Sequence, residues 1–62
     1  MTMEELVTVT KLMNEFDIKS INNKFDFTTL TMTDGAHIDV GSNGDWLRWG
    51  PDGEFVKSRH YQ

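Results

Sequence analysis

A nine-residue sequence repeat that occurs three times limits what this chain can fold into more than any other feature. The units are residues 33–41, 42–50 and 51–59, and each has Asp-Gly or Asn-Gly at its second and third positions. Glycine reaches the positive φ angles that tight hairpin turns need, because it has no Cβ atom to clash there. Alternating runs between turn signals nine residues apart therefore predict an antiparallel β-meander.

The positions of these turns predict where the strands lie. We expect strands over about residues 25–32, 36–40, 45–49 and 54–60. In the first of them Phe25 and Phe27 have one parity, whereas Leu30 and Met32 have the other, so that a regular strand would send the two pairs to opposite faces. A chain this small cannot cover both faces of a sheet. We therefore predict a β-bulge near Thr28-Thr29 that restores one apolar face.

Loop length decides which side chains share a face of the sheet. A three-residue loop at residues 33–35, with its glycine in the left-handed region, pairs Leu30 with Ile38 and keeps the apolar face continuous. A two-residue turn would place Thr31 opposite Ile38 instead, so we expect the three-residue loop. Residues 51–53 suit the same type, because the proline sets the first turn angle.

A two-residue loop is expected at Asn43-Gly44. This loop would place Asp39 opposite Arg48 and Ile38 opposite Trp49, which are favourable cross-strand pairs. We take Ile38, Leu47 and Val56 as the core side of the meander. The rings of the three repeats, together with their neighbouring charged residues, then face solvent.

The N-terminal segment predicts a helix over about residues 3–16. Thr2 with Glu5 three residues later has the form of a capping box. The β-branched run at residues 7–10 is the opposing signal and is compatible with a strand. The apolar residues fall on one stripe, which we expect to pack on the sheet rather than to bind another helix. This stripe contains Leu6, Val9, Met13 and Phe16, with Met3 and Leu12 at its edges.

The fold class predicted from these elements is α+β, in one small domain that includes residues 1–62. An N-terminal helix packs on a three- or four-stranded antiparallel β-meander. Residues 17–24 cross from the helix to the sheet, and their pattern leaves open whether they contain an extra strand. A 62-residue chain buries only about 60% of its unfolded surface, so its stability is expected to be a few kcal/mol.

Composition restricts the location and the partners of the chain. It has no cysteine, which favours a reducing compartment, and its first residues have neither the basic nor the apolar region of an export signal. No apolar run is long enough to span a membrane. The net charge of −4 arises entirely within residues 1–44, and it disfavours general affinity for nucleic acid. We therefore expect a cytoplasmic protein without membrane association.

The residues offer little for catalysis or for a cofactor. No cysteine nucleophile, Gly-x-Ser-x-Gly elbow or phosphate-binding glycine loop before a helix is present, so we expect neither enzyme activity nor a cofactor. His37 and His60 could form a metal site with Asp39, but their spacing does not require one. The Asp and Asn residues near the turns match no calcium-binding pattern and are explained by turn chemistry. No metal site is predicted.

The solvent-facing side of the meander is the best candidate site. Aromatic rings and arginine are enriched at the energetic centres of protein interfaces. We therefore expect a protein partner, and a compact acidic domain without catalytic groups is typical of stoichiometric inhibitors, including those that phages and mobile elements encode. The alternative is single-stranded nucleic acid, stacked on the Trp/Phe/Arg face. A homodimer is a further possibility, since strand edges are open. The predicted partner-binding residues are His37, Asp39, Trp46, Arg48, Phe55 and Lys57.

Overall fold

A computed structural model describes residues 1–59, and the side chains of residues 1–56. Its strands form one antiparallel sheet in the order β1-β2-β3-β4-β5, and α1 packs across β2 and β3. The predicted α+β fold is confirmed, with five strands rather than three or four because the crossing segment forms β1. The predicted end of the last strand at residue 60 lies outside the described residues. The elements are α1 (Met3–Glu15), β1 (Ile18–Asn23), β2 (Phe27–Met32), β3 (His37–Gly41), β4 (Trp46–Trp49) and β5 (Phe55–Arg59).

The capping box at the start of α1 is confirmed. The Glu5 amide donates to Thr2 Oγ1 over 3.1 Å, and the Thr2 amide donates to Glu5 Oε1 over 3.4 Å. These two bonds satisfy amides that have no partner within the helix. The β-branched residues 7–10 are helical, so the competing strand interpretation is wrong.

All three hairpins of the repeat have the same three-residue loop. In each loop the glycine has a φ between +85° and +94°, and its amide donates to the carbonyl of the residue that precedes the loop. The Asp or Asn before the glycine accepts a bond from the backbone amide two residues ahead, which explains the residue type at that position. The predictions for residues 33–35 and 51–53 are confirmed, and the two-residue loop at Asn43-Gly44 is wrong.

In this register each side chain of β4 lies on the opposite face of the sheet from the one predicted. Ile38 lies opposite Arg48 and Val40 opposite Trp46, so Trp46 joins the core and is 3% exposed. Leu47, which we expected in the core, is 42% exposed. Each three-residue loop keeps the even-numbered residues of β2, β3 and β4 on the same face of the sheet. The repeat is nine residues long, so a position that is even-numbered in one repeat is odd-numbered in the next. Equivalent positions of successive repeats therefore alternate between faces.

Strand β2 alternates regularly and contains no bulge in its pairing with β3, so the bulge predicted at Thr28-Thr29 is wrong. Phe25 lies in the loop before the strand and is fully exposed, and Phe27 lies on the opposite face of the strand from Leu30 and Met32. A register shift occurs instead in the pairing of β1 with β2, between Ile18 and Ser20. The buried apolar core consists of Val9, Leu12, Leu30, Met32, Ala36, Ile38, Val40 and Trp46.

Helix α1 packs with a face that is partly polar. Glu5 and Thr8 are buried beside Val9 and Leu12. Thr28 Oγ1 donates to Glu5 Oε2, and Thr8 Oγ1 donates to the Gly44 carbonyl over 2.7 Å. A buried polar group with a hydrogen-bond partner avoids most of the cost of desolvation.

These bonds rotate the helix relative to the predicted apolar stripe. Val9 packs in the core and Phe16 packs against it, as predicted, but Leu6 and Met13 are each 49% exposed. The prediction that Leu6 and Met13 face the sheet is therefore wrong, because two polar residues occupy the buried side in their place.

The inverted β4 predicts opposite effects for two adjacent truncations. Trp46→Ala should lower the free energy of unfolding by about 3–5 kcal/mol, because it empties part of a small core. Leu47→Ala should lower it by less than about 1 kcal/mol, because its side chain is largely in water. Urea denaturation followed by circular dichroism measures the loss for Leu47→Ala, and a Trp46→Ala chain that is already unfolded without urea has lost at least the whole stability of the wild type. A larger loss for Leu47→Ala than for Trp46→Ala would contradict the observed register.

Two loop glycines form a matched pair that tests how the helix docks. Gly44→Ala and Gly53→Ala both force alanine to a positive φ, at a cost of about 1–2 kcal/mol each. A Cβ at Gly44 would also lie 3.1 Å from Thr8 Oγ1 and 3.2 Å from the Glu4 carbonyl oxygen, whereas one at Gly53 would contact nothing within 4 Å. Gly44→Ala should therefore cost a further 1–3 kcal/mol or so. Equal urea midpoints for the two variants would show that the helix does not pack closely against the Gly44 loop.

Candidate functional site

The sheet has one face that no described element covers, and we call it the open face. Its side chains come from the odd-numbered positions of β2, β3 and β4, with Phe55 added from β5. They are half-buried or exposed, in contrast to the core residues between them. The open face consists of Phe27, Thr29, Thr31, His37, Asp39, Leu47, Trp49 and Phe55.

Three rings form a row across one end of the open face. The ring centroids of His37 and Trp49 are 5.0 Å apart with the planes inclined by only 10°, which is a stacked arrangement. Trp49 meets Phe55 edge-on, with centroids 6.1 Å apart and an interplanar angle of 77°. Both contacts join residues that are directly opposite in the sheet register. The rings therefore hold one another in place on a rigid backbone and present a preformed aromatic surface.

The neighbouring row on the open face is polar at one end and apolar at the other. Thr29 Oγ1 donates to Asp39 Oδ1 over 2.7 Å, and Asp39 lies directly opposite Leu47. Thr29 thus fixes a carboxylate in the middle of the face, beside an exposed leucine. Further along, Lys24 Nζ lies 5.0 Å from the centroid of the Phe27 ring, a cation–π contact at the edge of the face.

Three of the six predicted partner-binding residues lie together on the open face: His37, Asp39 and Phe55. Trp46 and Arg48 lie on the helix side of the sheet, so the prediction that they face solvent beside the other rings is wrong. The side chain of Lys57 lies outside the described residues. Sequence reasoning missed Trp49 and Leu47. The signal that could have found them is the three-residue loop at residues 42–44, which pairs His37 with Trp49.

Arg48 occupies a cleft on the opposite side of the sheet, near the end of α1. Its guanidinium carbon lies 4.7 Å from the centroid of the Phe16 ring, and its Nε is buried without a hydrogen-bond partner among the described residues. The cleft has a volume of about 400 Å³. Carboxylates on its rim make it unfavourable for an anionic ligand. Its lining residues are Glu15, Phe16, Asp17, Met32, Thr33, Asp34 and Arg48.

Two other kinds of site have no counterpart among the described residues. No group of three or more His, Asp or Glu side chains among them is arranged to hold a metal ion. The metal site considered for His37 and Asp39 also requires His60, which lies outside the described part of the chain. No helix within residues 1–59 has the length and apolar character needed to cross a bilayer.

Comparisons with protein-family models, with curated protein sequences and with solved structures found no significant match to this chain.

The stacked pair predicts a measurable coupling between His37 and Trp49. In a double-mutant cycle of His37→Ala and Trp49→Ala, the coupling free energy should be about 0.5–1.5 kcal/mol, the range for aromatic pairs beyond their buried area. The matched control is a cycle of His37→Ala with Phe27→Ala, whose strand positions are about 13 Å apart along the sheet. That cycle should be additive within about 0.5 kcal/mol. Coupling that is no larger in the first cycle than in the control would exclude a stabilising stack.

Proposed function

We propose that this chain is a small, acidic, non-enzymatic protein-binding module that docks through the open face and modulates a larger protein by occupying its surface. The observation that carries the proposal is the uncovered aromatic row of His37, Trp49 and Phe55. Tryptophan is among the residue types most enriched at the energetic centres of interfaces. A row of rings held by a sheet also loses little conformational entropy on binding, which supports tight association.

The charges support a partner with a basic surface. Asp39 lies within the open face beside exposed Leu47, and the whole chain has a net charge of −4. A negative field increases the rate of encounter with a positive surface, and an aspartate beside aromatic rings can accept a lysine or an arginine. Stoichiometric inhibition of a cytoplasmic protein is the form of modulation that we propose. The open face is a broad surface that a partner can cover, and it is not a cleft in which a substrate could react.

Single-stranded nucleic acid is the second candidate for the open face. A stack of flat rings on a β-sheet is the kind of surface on which unpaired bases stack. The distribution of charge favours a protein instead, because phosphate groups require nearby cations. Lys24 lies only at the edge of the open face, Arg48 lies on the other side of the sheet, and the carboxylate of Asp39 lies within the proposed surface.

The first test identifies the partner by affinity capture from a lysate of the source organism, with and without nuclease. We expect a protein that is retained at a fixed ratio after nuclease treatment. Loss of all bound material on nuclease treatment would contradict the proposal. It would favour the nucleic-acid candidate, which fluorescence anisotropy with a labelled oligonucleotide then tests directly, including the dependence of binding on salt concentration.

The second test assigns the surface with matched truncations. Trp49→Ala should weaken binding by at least about thirtyfold, the usual effect of removing a central interface tryptophan. Leu47→Ala and Phe55→Ala, both at exposed positions, should each weaken binding by about five- to tenfold without unfolding the chain. The control is Ile21→Ala, a side chain with similar exposure on the helix side of the sheet. Calorimetry with the purified partner gives each affinity. Normal binding by all three open-face variants would contradict the proposed surface.

A further inference from the structure

The loop between β3 and β4 contains the only Asn-Gly pair in the chain. In such a pair the asparagine side chain reacts readily with the next backbone amide, because glycine has no Cβ to obstruct the approach of its nitrogen. Asn43 is also exposed to solvent. The other three asparagines each precede a residue with a long side chain, which obstructs the same approach. They are Asn14, Asn22 and Asn23.

The reaction at this pair is a deamidation that needs no enzyme. The Gly44 backbone nitrogen, once solvent base has removed its proton, bonds to Asn43 Cγ. The bond from Cγ to Nδ2 breaks, and Nδ2 takes up a proton from water and leaves as ammonia. Water then opens the cyclic imide that has formed. Cleavage between nitrogen and Cγ gives aspartate, whereas cleavage between nitrogen and the main-chain carbonyl carbon gives isoaspartate. The sum consumes one water molecule and releases one ammonia molecule.

The native loop holds the reacting groups back. The Gly44 amide must lose its proton to react, and it donates this proton to the Gly41 carbonyl over 3.0 Å. Asn43 Nδ2, the leaving group, donates to Asp45 Oδ2 over 3.0 Å, and Asn43 Oδ1 accepts from the Asp45 amide over 3.1 Å. Gly44 is buried, so that solvent base reaches its amide only in molecules whose loop has opened.

Helix α1 covers this loop. Thr8 Oγ1 donates to the Gly44 carbonyl over 2.7 Å in a buried bond, and Thr2 Oγ1 donates to the Ser42 carbonyl. An opening that exposes the Gly44 amide therefore breaks contacts between the helix and the loop. We propose that Asn43 is a site of spontaneous deamidation and that the docking of α1 sets its rate. The site lies outside the open face and does not depend on the proposed function.

The two products should affect the fold differently. Aspartate already occupies the same loop position in the other repeats, as Asp34 and Asp52, and Glu54 there takes the place of Asp45. An aspartate at position 43 is therefore compatible with the loop. Isoaspartate adds one carbon atom to the main chain of a loop whose length fixes the register of the sheet. It should displace the Gly44 carbonyl from its bond with the helix and release α1.

Peptide mapping by mass spectrometry tests the site and its control by the fold. The wild-type chain is incubated at mildly alkaline pH with and without denaturing guanidinium chloride, and fragmentation distinguishes asparagine, aspartate and isoaspartate at each position. In the denaturant Asn43 should react, and the other three asparagines should stay largely intact. In the native chain Asn43 should react at least about tenfold more slowly, because only open molecules react. An unreactive Asn43 in the denaturant, or equal rates in the two conditions, would overturn the proposal.

Three threonine variants of the same helix test the control by docking. Thr8→Val removes the bond to the Gly44 carbonyl and should speed deamidation without denaturant by about tenfold, because a buried carbonyl loses its donor. Thr8→Ser keeps the hydroxyl group and should react more slowly than Thr8→Val. Thr10→Val is the matched control, since it removes only a bond to the Leu6 carbonyl within the helix, and it should leave the rate unchanged. An unchanged rate in Thr8→Val, or equal acceleration by Thr8→Val and Thr10→Val, would overturn control by docking.

The stability of the products tests the release of the helix. Chromatography isolates the isoaspartyl product, and urea denaturation compares it with the wild type and with the Asn43→Asp variant. The isoaspartyl product should unfold at a clearly lower urea concentration, whereas Asn43→Asp should have a midpoint close to that of the wild type. An isoaspartyl product as stable as Asn43→Asp would show that the helix stays docked, which contradicts the proposed consequence.

Discussion

The left-handed glycine that ends each three-residue loop is the constraint on which the rest of the sheet depends. Gly35, Gly44 and Gly53 all have positive φ angles, and each loop therefore has the same length and the same pattern of bonds. An odd number of loop residues keeps residue parity constant from one strand to the next. The core face and the open face both follow from that rule, and so does the row of rings across β3, β4 and β5.

Buried polar groups decide how the helix lies on this sheet. Thr28 Oγ1 donates to Glu5 and joins the helix to β2, whereas Thr8 Oγ1 donates to the Gly44 carbonyl and joins the helix to the Gly44 loop. Asn23 Nδ2 donates to Thr28 Oγ1 over 2.9 Å, which extends the network to the edge strand β1. With these bonds satisfied, the helix can bury two polar residues and leave Leu6 and Met13 exposed.

The sequence was sufficient for the architecture because its signals were local. The capping box, the repeated Asp-Gly and Asn-Gly pairs and the runs between them predicted the helix, four of the five strands and two of the three loops. The faces of the sheet were not predictable in the same way, since one extra loop residue inverts every side chain of β4. Attractive pairs such as Asp39 with Arg48 favoured the wrong register. The bond from Thr8 to the Gly44 carbonyl is a tertiary contact, which the local sequence does not encode.

The candidate site was half predicted for the same reason. His37, Asp39 and Phe55 were identified through their place in the repeat, and the same reasoning selected Trp46 and Arg48, which the odd repeat length sends to the other side. The predicted buried face of the helix was wrong for a different reason. A prediction from apolar periodicity assumes that polar side chains lie in water. Glu5 and Thr8 contradict that assumption, because only the tertiary fold supplies their hydrogen-bond partners.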